Sequence, residues 1–103
     1  MKKVLFMCNA GMSTSLLAER VKKESIAVGD EMEIKALNEQ AGKEVLNQWD
    51  VVLLGPQIGY LEDSLRKMMI QMGGSGKLAK INMKDYGMMD AKAIYNQIKS
   101  MLN

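Results

Sequence analysis

Apolar and polar residues alternate along the chain with two different periods, and the period changes in a regular order. Lys3-Val4-Leu5-Phe6-Met7 is a short apolar run of strand formers that leads to Cys8 and a glycine-containing turn. Leu17, Val21 and Val28 then recur at helical spacing, with Glu19, Arg20, Lys22 and Lys23 on the other faces, until Gly29-Asp30 interrupts them. Met32-Glu33-Ile34-Lys35-Ala36-Leu37 alternates, which predicts a partly exposed edge strand. Asn38 is a candidate cap for a short helix carrying Ala41, Val45 and Trp49 on one side, with Gly42 weakening it. Val51-Val52-Leu53-Leu54, bounded by Asp50 and Gly55-Pro56, predicts a central strand buried on both faces. From about Tyr60 the stripe Leu61, Leu65, Met68, Met69 and Met72 predicts a helix that Gly73-Gly74-Ser75-Gly76 stops. Leu78 to Asn82 is the fourth strand, and Asp90 caps a last helix carrying Ile94, Ile98 and Met101, with Lys92 and Lys99 off that face.

The order is therefore β-α-β-α-β-α-β-α, an α/β chain whose residues 1–103 form one domain. Strands alternating with helices imply a parallel sheet, right-handed crossovers and helices on both faces. Ligands of such sheets bind beyond the carboxyl ends of the strands. Three loops are expected to meet there: residues 8–15, 55–60 and 83–89.

Composition removes several functional classes. Fourteen basic and 12 acidic side chains leave a net charge of +2, without the basic excess of a nucleic-acid-binding domain. No apolar run approaches the ~20 residues that span a bilayer. The N-terminal lysines and apolar stretch are too short for a secretory leader and read as a strand. A single cysteine makes no internal disulfide, which fits a reducing, cytoplasmic setting. With one cysteine and no histidine, a zinc site is excluded, and no metal or cofactor is expected. Eleven methionines are many; Met68, Met69 and Met72 fall at core spacing, where methionine fills gaps.

The chemistry lies in Cys8-Asn9-Ala10-Gly11-Met12-Ser13-Thr14-Ser15, which runs from a strand end to a helix start. Consecutive backbone N–H groups in such a turn form an anion-binding concavity, reinforced by the helix N-terminus. A cysteine beside a phosphate cradle is what covalent phosphoryl transfer requires. Two plainer readings stand beside this one: a lone cysteine as a small buried hydrophobe, and the hydroxyls as helix caps.

Cys-Asn-Ala-Gly-Met-Ser-Thr-Ser-Leu-Leu after the first strand and Val-Val-Leu-Leu-Gly-Pro-Gln-Ile around the third resemble the IIB component of the bacterial sugar phosphotransferase system, lactose/cellobiose (chitobiose) type. The resemblance covers nearly the whole chain, including Asp-Tyr-Gly-Met-Met at 85–89. It implies a single three-layer domain with a four-stranded parallel sheet of order 2-1-3-4, similar to low-molecular-weight tyrosine phosphatases. It further implies that Cys8 accepts a phosphoryl group from a phosphohistidine of a IIA protein. Cys8 would then pass it to a sugar held by the membrane-embedded IIC component. Asn9, Ala10, Gly11, Met12, Ser13, Thr14 and Ser15 would line the phosphate. The chain itself would be cytoplasmic, associated peripherally with the transporter, and its sugar a cellobiose- or chitobiose-like disaccharide.

Two other functions use the same loop. The phosphatases carry Cys-x5-Arg-Ser/Thr, and here Thr14 stands where the arginine would stabilise the transferring group. Asp85 occupies the loop where those enzymes place a general acid, or is simply a turn residue. A non-catalytic phosphate sensor would also use the cradle, although neither a Walker lysine nor a G-x-G-x-x-G is present. A redox thiol would lack a resolving cysteine in the chain. Gly55-Pro56-Gln57-Ile58 is a candidate wall of the site, from which Gln57 could reach a phosphate or a partner, and Tyr60 and Tyr86 are candidates for a docking rim.

Overall fold

The apolar run behind the N-terminal lysines forms β1 (Lys3–Cys8), whose residues Val4 through Cys8 are all buried. In the computed structural model, which describes residues 1–9 and 12–103, three further strands pair with it: β2 (Glu33–Asn38), β3 (Val51–Leu54) and β4 (Lys77–Lys80). All pairings are parallel and the order is β2-β1-β3-β4, as the resemblance implied. The distribution of apolar residues explains the order. Central strands β1 and β3 are covered on both faces and are continuously apolar; edge strands β2 and β4 carry exposed lysines at Lys35, Lys77 and Lys80.

Alternation along the strands divides the core into two layers. Val4, Phe6, Val51 and Leu53 face α1 (Met12–Ala27) and a C-terminal helix spanning Ala91–Leu102, through Leu17, Val21, Ile94 and Ile98. Leu5, Met7, Val52 and Leu54 face the opposite layer, built from α2 (Glu39–Lys43), α3 (Glu62–Gln71) and the 3-10 turns before α3 and β3. Met69 is buried there, with Met68 and Met72 packed against it, as expected of gap-filling methionines. Met83 and Met88, by contrast, are 75% and 67% exposed.

Several boundaries differ from the sequence reading. Val28 lies past the end of α1 and is exposed. The buried side of α1 continues instead through Thr14 and Ser25, two polar residues absent from the apolar stripe. The helix expected to carry Ala41, Val45 and Trp49 stops at Lys43, and a 3-10 turn (Leu46–Gln48) follows. Gly42 lies in this short helix and is buried. A Cβ at that position would lie 2.7–2.8 Å from the Cε, Cγ and Sδ atoms of Met7, so the segment presses its backbone onto β1. Pro56–Leu61 is a 3-10 turn, so α3 starts at Glu62 rather than near Tyr60. Residues 83–89, expected as a loop, contain α4 (Met83–Gly87), capped by Asn82 Oδ1, which accepts from the N–H groups of Lys84 and Asp85. Asp90 caps the last helix, α5 (Ala91–Leu102), by accepting from Ala93 N–H, as expected.

At the end of the sheet opposite Cys8, one polar cluster ties α5 to the α1–β2 turn. Tyr95 donates its hydroxyl to Asp30 Oδ2 at 2.7 Å, and Lys99 Nζ pairs with the same oxygen at 2.8 Å. The hydrogen bonds from Lys99 and Tyr95 hold the Asp30 carboxyl below its ordinary pKa. The folded state therefore binds this proton more weakly than the unfolded chain. The cluster's contribution is complete above the ordinary carboxylate range and is lost as pH falls through the lowered Asp30 value. Thermal midpoints measured from pH 7 into acid are expected to fall less steeply in Asp30→Asn than in the parent, with the two curves converging at the acid end.

Candidate functional site

The carboxyl ends of β2 and β3 place Asn38 and Gly55 on either side of Cys8, at the end of β1. Cys8 is the last residue of β1 and lies in register beside Asn38 of β2. On the other side β3 ends opposite Met7, and Gly55 N–H donates to Met7 O at 2.8 Å, which sets Gly55 against Cys8. A Cβ on Gly55 would fall 3.3 Å from Cys8 Cβ and 3.0 Å from Gln57 Oε1. Only glycine leaves that gap open, and Gln57 is the side chain that reaches back into it.

Cys8 is 3% exposed, and its Sγ lies 2.7 Å from Oγ1 of the fully buried Thr14, in a hydrogen bond that either atom can donate. Thr14 belongs to the first turn of α1, which contains no acidic residue. The N-terminus of a 16-residue helix thus approaches the nucleophile candidate without a competing carboxylate. The residue six positions after the cysteine touches the sulfur with a neutral hydroxyl.

The remaining positions of the expected phosphate loop separate. Ala10 and Gly11 lie outside the described residues, as do the side chains of Met12 and Ser13. Asn9 is exposed and lines an open cleft of about 570 Å³ with Asn38, Glu39, Gln40 and Lys43. Within it, Lys43 Nζ is paired to Glu39 Oε2 at 2.8 Å. Ser15 is exposed and lines a different cleft between α1 and β2, with Ala18, Glu19, Ile34, Lys35 and Ala36.

Beyond β3 and β4, Pro56, Gly59, Tyr60, Lys80, Ile81, Asn82 and Met83 border a further depression of about 350 Å³. Tyr60 is 81% exposed there, whereas Tyr86 is half-buried and packs on the core beside α5. Of the two tyrosines, Tyr60 is the more exposed. Asp85 sits in the first turn of α4, its N–H donating to Asn82 Oδ1 at 3.2 Å. Sequence reasoning misses one part of the site. Asn38 reads in the sequence only as a cap, although its Oδ1 accepts Ala41 N–H while its backbone also flanks Cys8. The β2–β1 neighbourhood implied by the strand order is the signal that would place it there. Gly55 reads as part of the site wall, while its close approach to Cys8 depends on geometry that spacing does not carry.

Among the described residues no group of His, Cys, Asp or Glu is placed to hold a metal ion. Among the described residues no helix is long and apolar enough to cross a membrane. Residues 3–97 match the family described as PTS system, Lactose/Cellobiose specific IIB subunit. The oligo-beta-mannoside-specific EIIB component of Bacillus subtilis is 39% identical over 102 residues, covering 99% of this chain and 97% of the relative. The cellobiose-specific EIIB component of Lactococcus lactis is 31% identical over 107 residues at the same coverages. Among solved structures, the cellobiose-specific IIB protein of Borrelia burgdorferi superposes with a TM-score of 0.73 at 31% identity, over 97% of this chain and 91% of that one. The lactose-specific IIB domain of Streptococcus pneumoniae gives a TM-score of 0.85 at 12% identity, over 99% and 98%, a likeness of fold.

Proposed function

The chain belongs to the lactose/cellobiose-specific IIB family, phosphotransferases of the bacterial sugar phosphotransferase system, and on that premise we propose that Cys8 is the residue that carries the phosphoryl group. The observation that carries this reading is the 2.7 Å contact between Cys8 Sγ and the buried Thr14 hydroxyl. It sets a neutral group where low-molecular-weight tyrosine phosphatases, with the same loop position, hold an arginine. An arginine there would stabilise the transition state for attack by water as well as for transfer. A hydroxyl supports the sulfur without that charge, so phosphocysteine persists long enough to be passed on.

The two steps balance as displacements at phosphorus. Cys8 sulfur attacks the phosphohistidine of a IIA protein; the P–S bond forms as the P–N bond breaks, and the departing imidazole nitrogen takes the thiol's proton. A sugar hydroxyl held by the membrane IIC component then attacks the same phosphorus. The P–S bond breaks, its electron pair returns to sulfur, and the hydroxyl proton is released. The backbone N–H groups from Asn9 to Ser15 cradle the phosphoryl oxygens in both steps. Residues 1–103 act as a single cytoplasmic IIB domain that docks at the transporter, with Tyr60 on the rim. The sugar is a β-linked disaccharide of the cellobiose or chitobiose kind, in keeping with relatives named for oligo-beta-mannosides and cellobiose.

Incubation with a phosphorylated IIA donor tests this reading against its rivals. A phosphoryl adduct located on Cys8 by mass spectrometry supports the relay. Rapid turnover of an aryl phosphate that Asp85→Asn abolishes would sink it in favour of a hydrolase. Phosphate binding with no adduct would favour a sensor. Within the relay, Thr14→Val keeps the side-chain shape and deletes the hydroxyl on the sulfur. It is expected to slow transfer from the donor about tenfold, the worth of one hydrogen bond to a charged group, as stopped-flow or quenched-flow rates will read.

A further inference from the structure

Gln57 has a surface position but not a surface conformation. It is exposed, in the turn that follows β3, yet its Oε1 folds back to within 3.0 Å of the point where a Gly55 side chain would begin. Cys8 Cβ lies 3.3 Å from that same point. The carboxamide oxygen and the cysteine Cβ therefore border the same space beside Gly55. The turn holds them there. Pro56 restricts the chain at the turn's first position, Ile58 is buried at 1% exposure, and Ile58 N–H donates to Gly55 O at 3.0 Å. Gln57 is thus braced on both sides, and no hydrogen bond within the described residues occupies its carboxamide.

We propose that Gln57 is a catalytic residue of the relay, its Nε2–H donating to an oxygen of the phosphoryl group on Cys8. The inference rests on the reading of Cys8 as the phosphoryl carrier. A half-turn of the carboxamide exchanges its oxygen for its two N–H donors, so the group that now borders the cysteine can face an anion. The donor is neutral, as is Thr14. Between them they orient the phosphoryl group from two sides while adding no positive charge to favour attack by water. Gln57 forms and breaks no covalent bond. When the P–S bond breaks, its contact stays with the departing phosphoryl group.

The test compares parent, Gln57→Ala and Gln57→Glu, each phosphorylated by a IIA donor and then supplied with IIC-containing membranes and disaccharide. Phosphocysteine yield is expected to fall about tenfold in Gln57→Ala, where one donor is lost. It is expected to fall about a hundredfold in Gln57→Glu, where a carboxylate meets the phosphoryl oxygens. Thermal midpoints should match the parent in both variants, which separates contact from structural support. In the parent, the side-chain amide resonances of Gln57 should shift when the phosphorus signal of phosphocysteine appears. A Cys8 adduct of parental yield and transfer rate in both variants overturns the role of Gln57 alone. Absence of any Cys8 adduct in the parent protein overturns the relay reading, and this inference with it.

Discussion

Cys8→Ser is expected to abolish sugar phosphorylation, with a loss of at least about 10⁴-fold in the rate of transfer from a phosphorylated donor. The serine hydroxyl is smaller and holds its proton far more tightly than a thiol, so it is a poor nucleophile without a general base. The commonest such base is missing, since the chain has no histidine. Any phosphoserine that formed would also be a dead end, because an alkoxide is a much poorer leaving group than a thiolate. The substitution leaves the architecture intact: the new hydroxyl would still face Thr14 Oγ1, at a position that is only 3% exposed in the parent. Circular dichroism and the thermal midpoint should therefore be close to parental, which isolates the chemistry. Quantifying sugar phosphate formed by membranes carrying IIC, with purified IIA and each protein in turn, reads the effect. Retention of about a tenth of the parental rate would show that another atom carries the phosphoryl group.

The largest effect on stability is expected from Gly76→Ala, far from the site. A Cβ there would collide with the carbonyl oxygen of Trp49 and lie 3.0 Å from the carbonyl oxygen of Asp50. Both are backbone atoms at the start of β3, and neither can rotate away as a side chain would. Three hydrogen bonds hold Asp50. Its carbonyl accepts Lys77 N–H at 2.9 Å, its N–H donates to Lys3 O at 2.9 Å, and its Oδ2 accepts Lys3 N–H at 2.8 Å. Any shift that relieves the clash pulls on β1, β3 and β4 together. The expected loss is about 3 kcal/mol, read as a fall of about 15 °C in thermal midpoint for a domain of this size. A midpoint within about 2 °C of the parent would mean the segment yields more easily than its hydrogen bonds imply.

Much of this arrangement was legible in the sequence because it follows from period and continuity. Val51–Leu54 reads as a buried central strand from its lack of polar residues alone, and it spans those residues in the structure. The nucleophile candidate was legible because Cys8 is the sole cysteine and stands where an apolar strand meets a Gly/Ser/Thr turn. Features that depend on close approach were not. Gly42 looks like a weak point in a helix, and is where Met7 fills the space a side chain would take. Thr14 and Ser25 look like surface residues of α1 but are fully buried, each satisfied by a hydrogen bond. Such residues break the apolar stripe without breaking the helix, and hydropathy has no means of telling them from solvated ones. The break at Gly55-Pro56 marks the end of β3, while its use as an opening between Gln57 and Cys8 requires the sheet to exist first.

The lysines on the outer strands have a consequence for how molecules of this chain meet one another. β4 is four residues long with Lys77 and Lys80 exposed at its ends, and Lys35 is exposed in the middle of β2. An outer strand can template a neighbour's strand through its backbone groups, but on β4 the carbonyl oxygens of Leu78 and Lys80 already accept from Arg66 Nη2 at 2.9 Å and Gln97 Nε2 at 2.8 Å. A second molecule approaching edge to edge would bring like charges together and find only a short ladder to pair with. Both outer edges therefore disfavour strand pairing with a second copy of the chain.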